Sequence, residues 1–95
     1  MILEQALLEV IAGRKSDYEA ALVDALPIIR AAEGCISAEV TRCVEEPNTY
    51  LLLVQWETLD DHTVGFRESA GFAQWRALLW EFYDPKPVVR HFEIR

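Results

Sequence analysis

Apolar and polar residues alternate along some stretches of this chain and recur every three or four residues along others, and these two periods mark out its elements. Residues 2–11 are mostly apolar and β-compatible, with Glu4 and Glu9 on opposite parities, and read as a first strand. Gly13-Arg14-Lys15 breaks it. Ser16-Asp17-Tyr18-Glu19 then has the form of a capping box, with the Ser16 hydroxyl placed for the amide of Glu19 and the Glu19 carboxylate for that of Ser16. The stripe Tyr18, Leu22, Ala25, Ile29 and Ala32 predicts one face of a helix. Pro27 lies inside it, where it removes the bond to the Val23 carbonyl and should bend the axis, and Gly34 supplies the stop.

Cys35 to Val44 alternates again, with Ile36, Ala38, Val40 and Val44 on one parity and Ser37, Glu39 and Thr41 on the other. Glu45-Glu46-Pro47-Asn48 is a turn and Thr49 to Glu57 a third strand, so 35–57 reads as a β-hairpin. This strand carries Tyr50, Leu52, Val54 and Trp56 on one face but also Leu51 and Leu53 on the other. An antiparallel strand that is apolar on both faces is covered twice. Thr58 caps a short helical segment with Gly65 near its end, and Ser69 caps a second helix. The stripe of that helix is Phe72, Trp75 or Arg76, Leu79 and Phe82 or Tyr83. On a single helix Trp75 and Trp80 should not both face inward. Asp84-Pro85-Lys86-Pro87 ends it, and Val88 to Ile94 alternates as the last strand, with Val88, Phe92 and Ile94 on one side. The order β-α-β-β-α-β is the ferredoxin-like split βαβ pattern, an α+β fold with one antiparallel sheet, and residues 1–95 fill it as a single domain.

Composition narrows the function classes. Fifty-two per cent of residues are hydrophobic and 11% aromatic, which excludes a disordered chain and is more than a small monomer readily hides. The formal charge of −7 argues against nucleic acid and anionic membranes as partners, since both need a basic face. The amino terminus has no basic region before its apolar residues, and no stretch approaches the ~18 uninterrupted apolar residues of a spanning helix. Cys35 and Cys43 on one strand lie too far apart to bridge, and two free thiols suit a cytoplasmic location.

Trp56, His62, Ser69 and Phe72, spaced W-x5-H-x6-S-x2-F after the hairpin, together with the order of elements, resemble the antibiotic biosynthesis monooxygenase family over nearly the whole chain. The resemblance implies a dimeric α+β barrel, in which two ferredoxin-like sheets pack face to face as a homodimer and supply the second cover of the third strand. It also implies an apolar pocket and, in the best-known members, oxygenation of phenolic, quinol or polyketide-like aromatic compounds by O2 without metal or flavin. Other relatives degrade haem or isomerise small molecules, so the family does not fix the activity.

Within that resemblance His62 is the candidate catalytic base, because a cofactor-free oxygenase must deprotonate a phenol or enol and a neutral imidazole suits the step. The alternatives are that His62 lines the pocket without catalysis or packs structurally. Trp56, Phe66, Phe72, Trp75 and Tyr83 are candidate substrate-binding walls for a small apolar or aromatic ligand, and aromatics at helical spacing are equally the makings of a core. Arg76 and Arg67 could anchor an anion or pair with Glu68, Glu81 or Asp84. His91 is expected at a dimer seam. Neither the histidines nor the cysteines show metal-ligand spacing, and no His lies between Ser69 and Tyr83 to ligate haem, so neither metal nor cofactor is expected. A non-catalytic binding module and an isomerase or cyclase are the other functions that such a pocket serves.

Overall fold

A computed structural model describes residues 1–95. The elements are β1 (Ile2–Glu9), α1 (Lys15–Arg30), β2 (Cys35–Arg42), β3 (Thr49–Trp56), a π-helical turn (Asp61–Phe66), α2 (Ala70–Leu79), a 3-10 turn (Trp80–Phe82) and β4 (Val89–Glu93). All pairings are antiparallel and the strand order is β2-β3-β1-β4, the ferredoxin-like arrangement. No helix is long and apolar enough to cross a membrane.

The alternation in β1 and β3 sets the layers. Ala6 and Leu8 of β1 and Tyr50, Leu52, Val54 and Trp56 of β3 are buried beneath the helices, where Tyr18, Leu22, Ala25 and Ile29 of α1 meet them. The opposite sheet face carries no helix. Leu7 stands opposite Leu51 there and Leu3 opposite Phe92, with Leu53 on the same face. Leu7 and Phe92 are 56% and 44% exposed, an apolar sheet surface left open within one chain.

Several expectations need correcting. α1 begins at Lys15, so Ser16 lies within it and makes no cap; the amide of Tyr18 bonds the Arg14 carbonyl instead. The helix continues through Pro27 to Arg30. β2 carries a bulge between Cys35 and Ser37, so Cys35 shares the inner face with Ala38 while Ile36 is turned out at 47% exposure. Val44 lies beyond the strand and is exposed. Both cysteines are free thiols.

Gly34 has a structural task besides stopping a helix. Its φ is +80°, and a Cβ there would overlap Oδ2 of Asp61. That oxygen accepts from the amide of Thr58, whose hydroxyl accepts from the amide of Asp61. This reciprocal box starts the turn that carries His62.

Candidate functional site

Between the inner sheet face and α2 lies a cavity of about 490 Å³. Its aromatic wall is Phe66, Phe72, Trp75, Trp80 and Tyr83, and Ala6, Leu8, Leu52 and Leu79 add aliphatic surface. The polar groups are Glu4, His62, Arg67 and Arg76. A planar apolar molecule with a few polar substituents fits such a lining.

His62 and Phe66 reach the cavity together because their turn is π-helical. The amide of Arg67 bonds the His62 carbonyl five residues back, at 3.2 Å. His62 is 3% exposed and stacks on Trp56 with ring centres 5.2 Å apart. Its Nδ1 lies 2.7 Å from Nε2 of His91, and its Nε2 lies 3.4 Å from Oε1 of Glu4. Burial above all, then the nearby Arg67 and His91, lowers its pKa to about 4, so the ring is neutral at physiological pH.

Glu4 is 3% exposed, and its Oε1 accepts from the indole nitrogen of Trp56 at 2.9 Å. Burial raises its pKa, against the opposing pull of the Trp56 hydrogen bond and of Arg67. No buried side-chain oxygen lacks a partner, so Oε2 of Glu4, which has none, is open to the cavity. Arg67 and Arg76 form no ion pair with any carboxylate. Arg76 lies over the Trp80 ring, 4.3 Å from its centre. Tyr83 is fastened by the bonding of residues 82–84 onto the end of β1, and its hydroxyl lies 2.8 Å from that of Tyr18. Burial pushes its pKa up to about 12, which keeps it a neutral phenol. No group of three or more His, Cys, Asp or Glu side chains converges as a metal site.

The structure therefore gathers His62, Phe66, Phe72, Trp75, Arg76 and Tyr83 around one space. Trp56 is fully buried one layer behind, against His62 and Glu4, and is not part of the lining. Trp75 and Trp80 both face the cavity, because α2 ends at Leu79 and the tighter turn that follows swings Trp80 round. His91 is on the inner sheet face opposite Glu4, not on the open apolar face. Sequence reasoning missed Glu4, although a carboxylate on the same parity as Ala6 and Leu8 was a usable signal.

The fold and site are those of a small α+β domain built around one aromatic-walled pocket, and the comparisons name its family. The model of the family described as antibiotic biosynthesis monooxygenase matches residues 1–78, and the chain belongs to that family. It is 46% identical over 93 residues to the uncharacterised protein YczJ of Bacillus subtilis, covering 98% of each chain. A Bordetella bronchiseptica protein provisionally assigned to the same family has a crystal structure that superposes with a TM-score of 0.92. The two chains are 40% identical, and the match covers 99% of this one and 96% of the other. A Nitrosomonas europaea structure shares the fold at 13% identity, with a TM-score of 0.85 over 99% of this chain and 98% of that one.

Proposed function

We propose that this chain is a cofactor-independent monooxygenase acting on a small phenolic, quinol or polyketide-like aromatic compound. The observation that carries the reading is a neutral His62 beside Glu4 on the wall of a mainly apolar, aromatic-lined cavity whose other polar groups are Arg67 and Arg76. The ring packs among Phe66, Phe72, Trp75, Trp80 and Tyr83. The Glu4–His62 pair takes a proton from its hydroxyl, and Arg67 and Arg76 steady the resulting anion. The electron-rich anion reduces O2; one oxygen atom replaces two hydrogens of the substrate and the other leaves as water. A cavity filled by core side chains, with His62 turned outward, would have favoured a binding module without catalysis.

The reading includes a homodimer. Leu7, Leu51, Leu53 and Phe92 make the open sheet face the surface that a second copy covers, in keeping with a family whose members are typically dimeric.

The test is O2 uptake with 1,4-dihydroxynaphthalene and related dihydroxyaromatics, corrected for the rate without protein, together with incorporation of labelled oxygen into product. His62→Ala should slow turnover by on the order of 100-fold or more. Full O2 consumption by that variant would refute the role of His62. Equal turnover in air and under argon would favour an isomerase or cyclase instead.

A further inference from the structure

Both ring nitrogens of His62 face protein groups, so a proton taken at the cavity wall has somewhere to go. On one side stands Glu4, with Oε1 3.4 Å from Nε2. On the other, Nδ1 meets Nε2 of His91 at 2.7 Å. Glu4 and His91 are direct partners across the β1–β4 pairing, with His62 brought over them from the π-helical turn. β4 is an edge strand and His91 is only half-buried. The remaining nitrogen of His91 has no protein partner and is not sealed from solvent. His91 does not line the cavity and touches no reacting atom.

We propose that Glu4, His62 and His91 form a proton path from the cavity wall to the outer edge of β4, with His91 as its outlet. The proposal rests on the reading above, that a proton is taken in the cavity. His91 is a positioning residue, since it reaches the reacting atoms only through the other two.

The chain is self-consistent in two arrangements that differ by one proton. With Glu4 protonated, its O–H donates to Nε2 of His62, Nδ1–H of His62 donates to Nε2 of His91, and Nδ1 of His91 carries a proton toward solvent. With Glu4 ionised, every bond is reversed. Nε2–H of His62 donates to the carboxylate, Nε2–H of His91 donates to His62, and Nδ1 of His91 has released its proton. Passage from the first to the second moves one proton out without leaving a charge on either ring. A proton accepted at Oε2 enters the chain after a half-turn of the carboxyl group. The 3.4 Å gap between Glu4 and His62 is long for a hydrogen bond and closes with a shift of a few tenths of an ångström.

The surroundings favour these neutral-ring states. Trp56 of β3 donates to Glu4, and Arg67, which follows the turn, lowers the pKa of all three members. Cys35 of β2 feels the Glu4 charge and that of Arg30 from α1, and burial keeps it a thiol. Burial opposes charge on either imidazole and raises Glu4, and with His62 held at about 4 the carboxyl group takes a proton before that ring does.

The test needs no substrate, so its failure is distinct from failure of the enzymatic reading. Full-length protein labelled with 15N in histidine and 13C in glutamate is titrated from about pH 5 to about pH 9, following the ring nitrogens of His62 and the Glu4 carboxyl carbon. In the wild type the His62 proton should pass from Nδ1 to Nε2 at the same midpoint as Glu4 ionises. Glu4→Gln, which keeps an oxygen for Trp56, should abolish the exchange. His91→Phe should move its midpoint by about one pH unit or more. The path is overturned if His62 keeps one tautomer while Glu4 titrates, if Glu4 stays in one form throughout, or if His91→Phe leaves the midpoint unchanged.

Discussion

The indole N–H of Trp56 donates to Oε1 of Glu4 at 2.9 Å, and neither residue is more than 3% exposed. Register brings them together. Ile2 pairs with Trp56 and Glu4 with Val54, so the two side chains are diagonal neighbours on the inner sheet face. A carboxylate in that position would be strongly disfavoured without a donor, and Trp56 is the donor. Trp56 thus supports the site from behind by holding the acid that His62 faces.

Removing either partner should have opposite consequences. Trp56→Phe leaves Glu4 without its donor and opens space, and should lower stability by on the order of 2–4 kcal/mol in denaturant titrations. Glu4→Gln keeps an acceptor for Trp56 and removes the ionisable group. The folded-state pKa of Glu4 is raised, so its contribution is full below the unfolded value of 4.5 and lost as pH rises through the folded value. Glu4→Gln should therefore flatten the loss of stability that the wild type shows in denaturant titrations as pH rises above 4.5.

His62 acts on the acid side. Its folded pKa of about 4 lies below the ordinary 6.5, so between those values the unfolded chain binds a proton that the folded chain refuses. Stability falls as pH drops through that window, by on the order of 3 kcal/mol at its lower end. His62→Gln should remove this dependence, with a smaller change in unfolding free energy between pH 7 and pH 4 than in the wild type. Equal slopes in the two proteins would mean that His62 titrates normally.

The layers of the domain were legible because burial follows period two in Tyr50, Leu52, Val54 and Trp56 and the helical period in Tyr18, Leu22, Ala25 and Ile29. The site was legible only where its residues lie close in sequence, from His62 to Tyr83. Glu4 and His91 are brought to His62 by strand register, which no local pattern expresses. Ile36 turns outward because a bulge changes the parity, and Trp75 and Trp80 share the cavity, against the expectation for one regular helix, because the helix tightens after Leu79. Both are changes of local geometry that a fixed period does not contain.

Gly34 links the entry of β2 to the His62 turn. Gly34→Ala places a methyl group against Asp61 at a positive φ, so both the backbone and the Thr58–Asp61 box must yield. We expect a loss of on the order of 1–3 kcal/mol together with shifted NMR signals for the His62 ring. Unchanged His62 signals would separate the glycine from the site.

Two of the three tryptophans line the cavity and the third does not. A planar aromatic ligand should therefore quench Trp75 and Trp80 directly. With 1,4-dihydroxynaphthalene under argon, quenching should survive either Trp75→Phe or Trp80→Phe and fall sharply in the double variant, where only Trp56 emits. Undiminished quenching of that single remaining indole would place the ligand elsewhere. Trp80→Phe also weakens the seat of Arg76, so it should reduce affinity for anionic aromatics more than for neutral ones.

Leu7 and Leu51 are cross-strand partners on a surface that no helix of this chain covers, and Leu53 and Phe92 extend it. If a second copy covers that face, a charge at its centre becomes buried in the dimer but stays solvated in the monomer. Leu51→Glu should therefore shift sedimentation from twice the chain mass of 10.9 kDa toward the single chain mass, with the fold retained by circular dichroism. The cavity lies on the other face of the sheet, so Val23→Glu, an exposed position on α1, serves as the control that should leave the mass unchanged. A wild type that sediments as a monomer at micromolar concentration would remove the partner from the reading and leave the face unexplained.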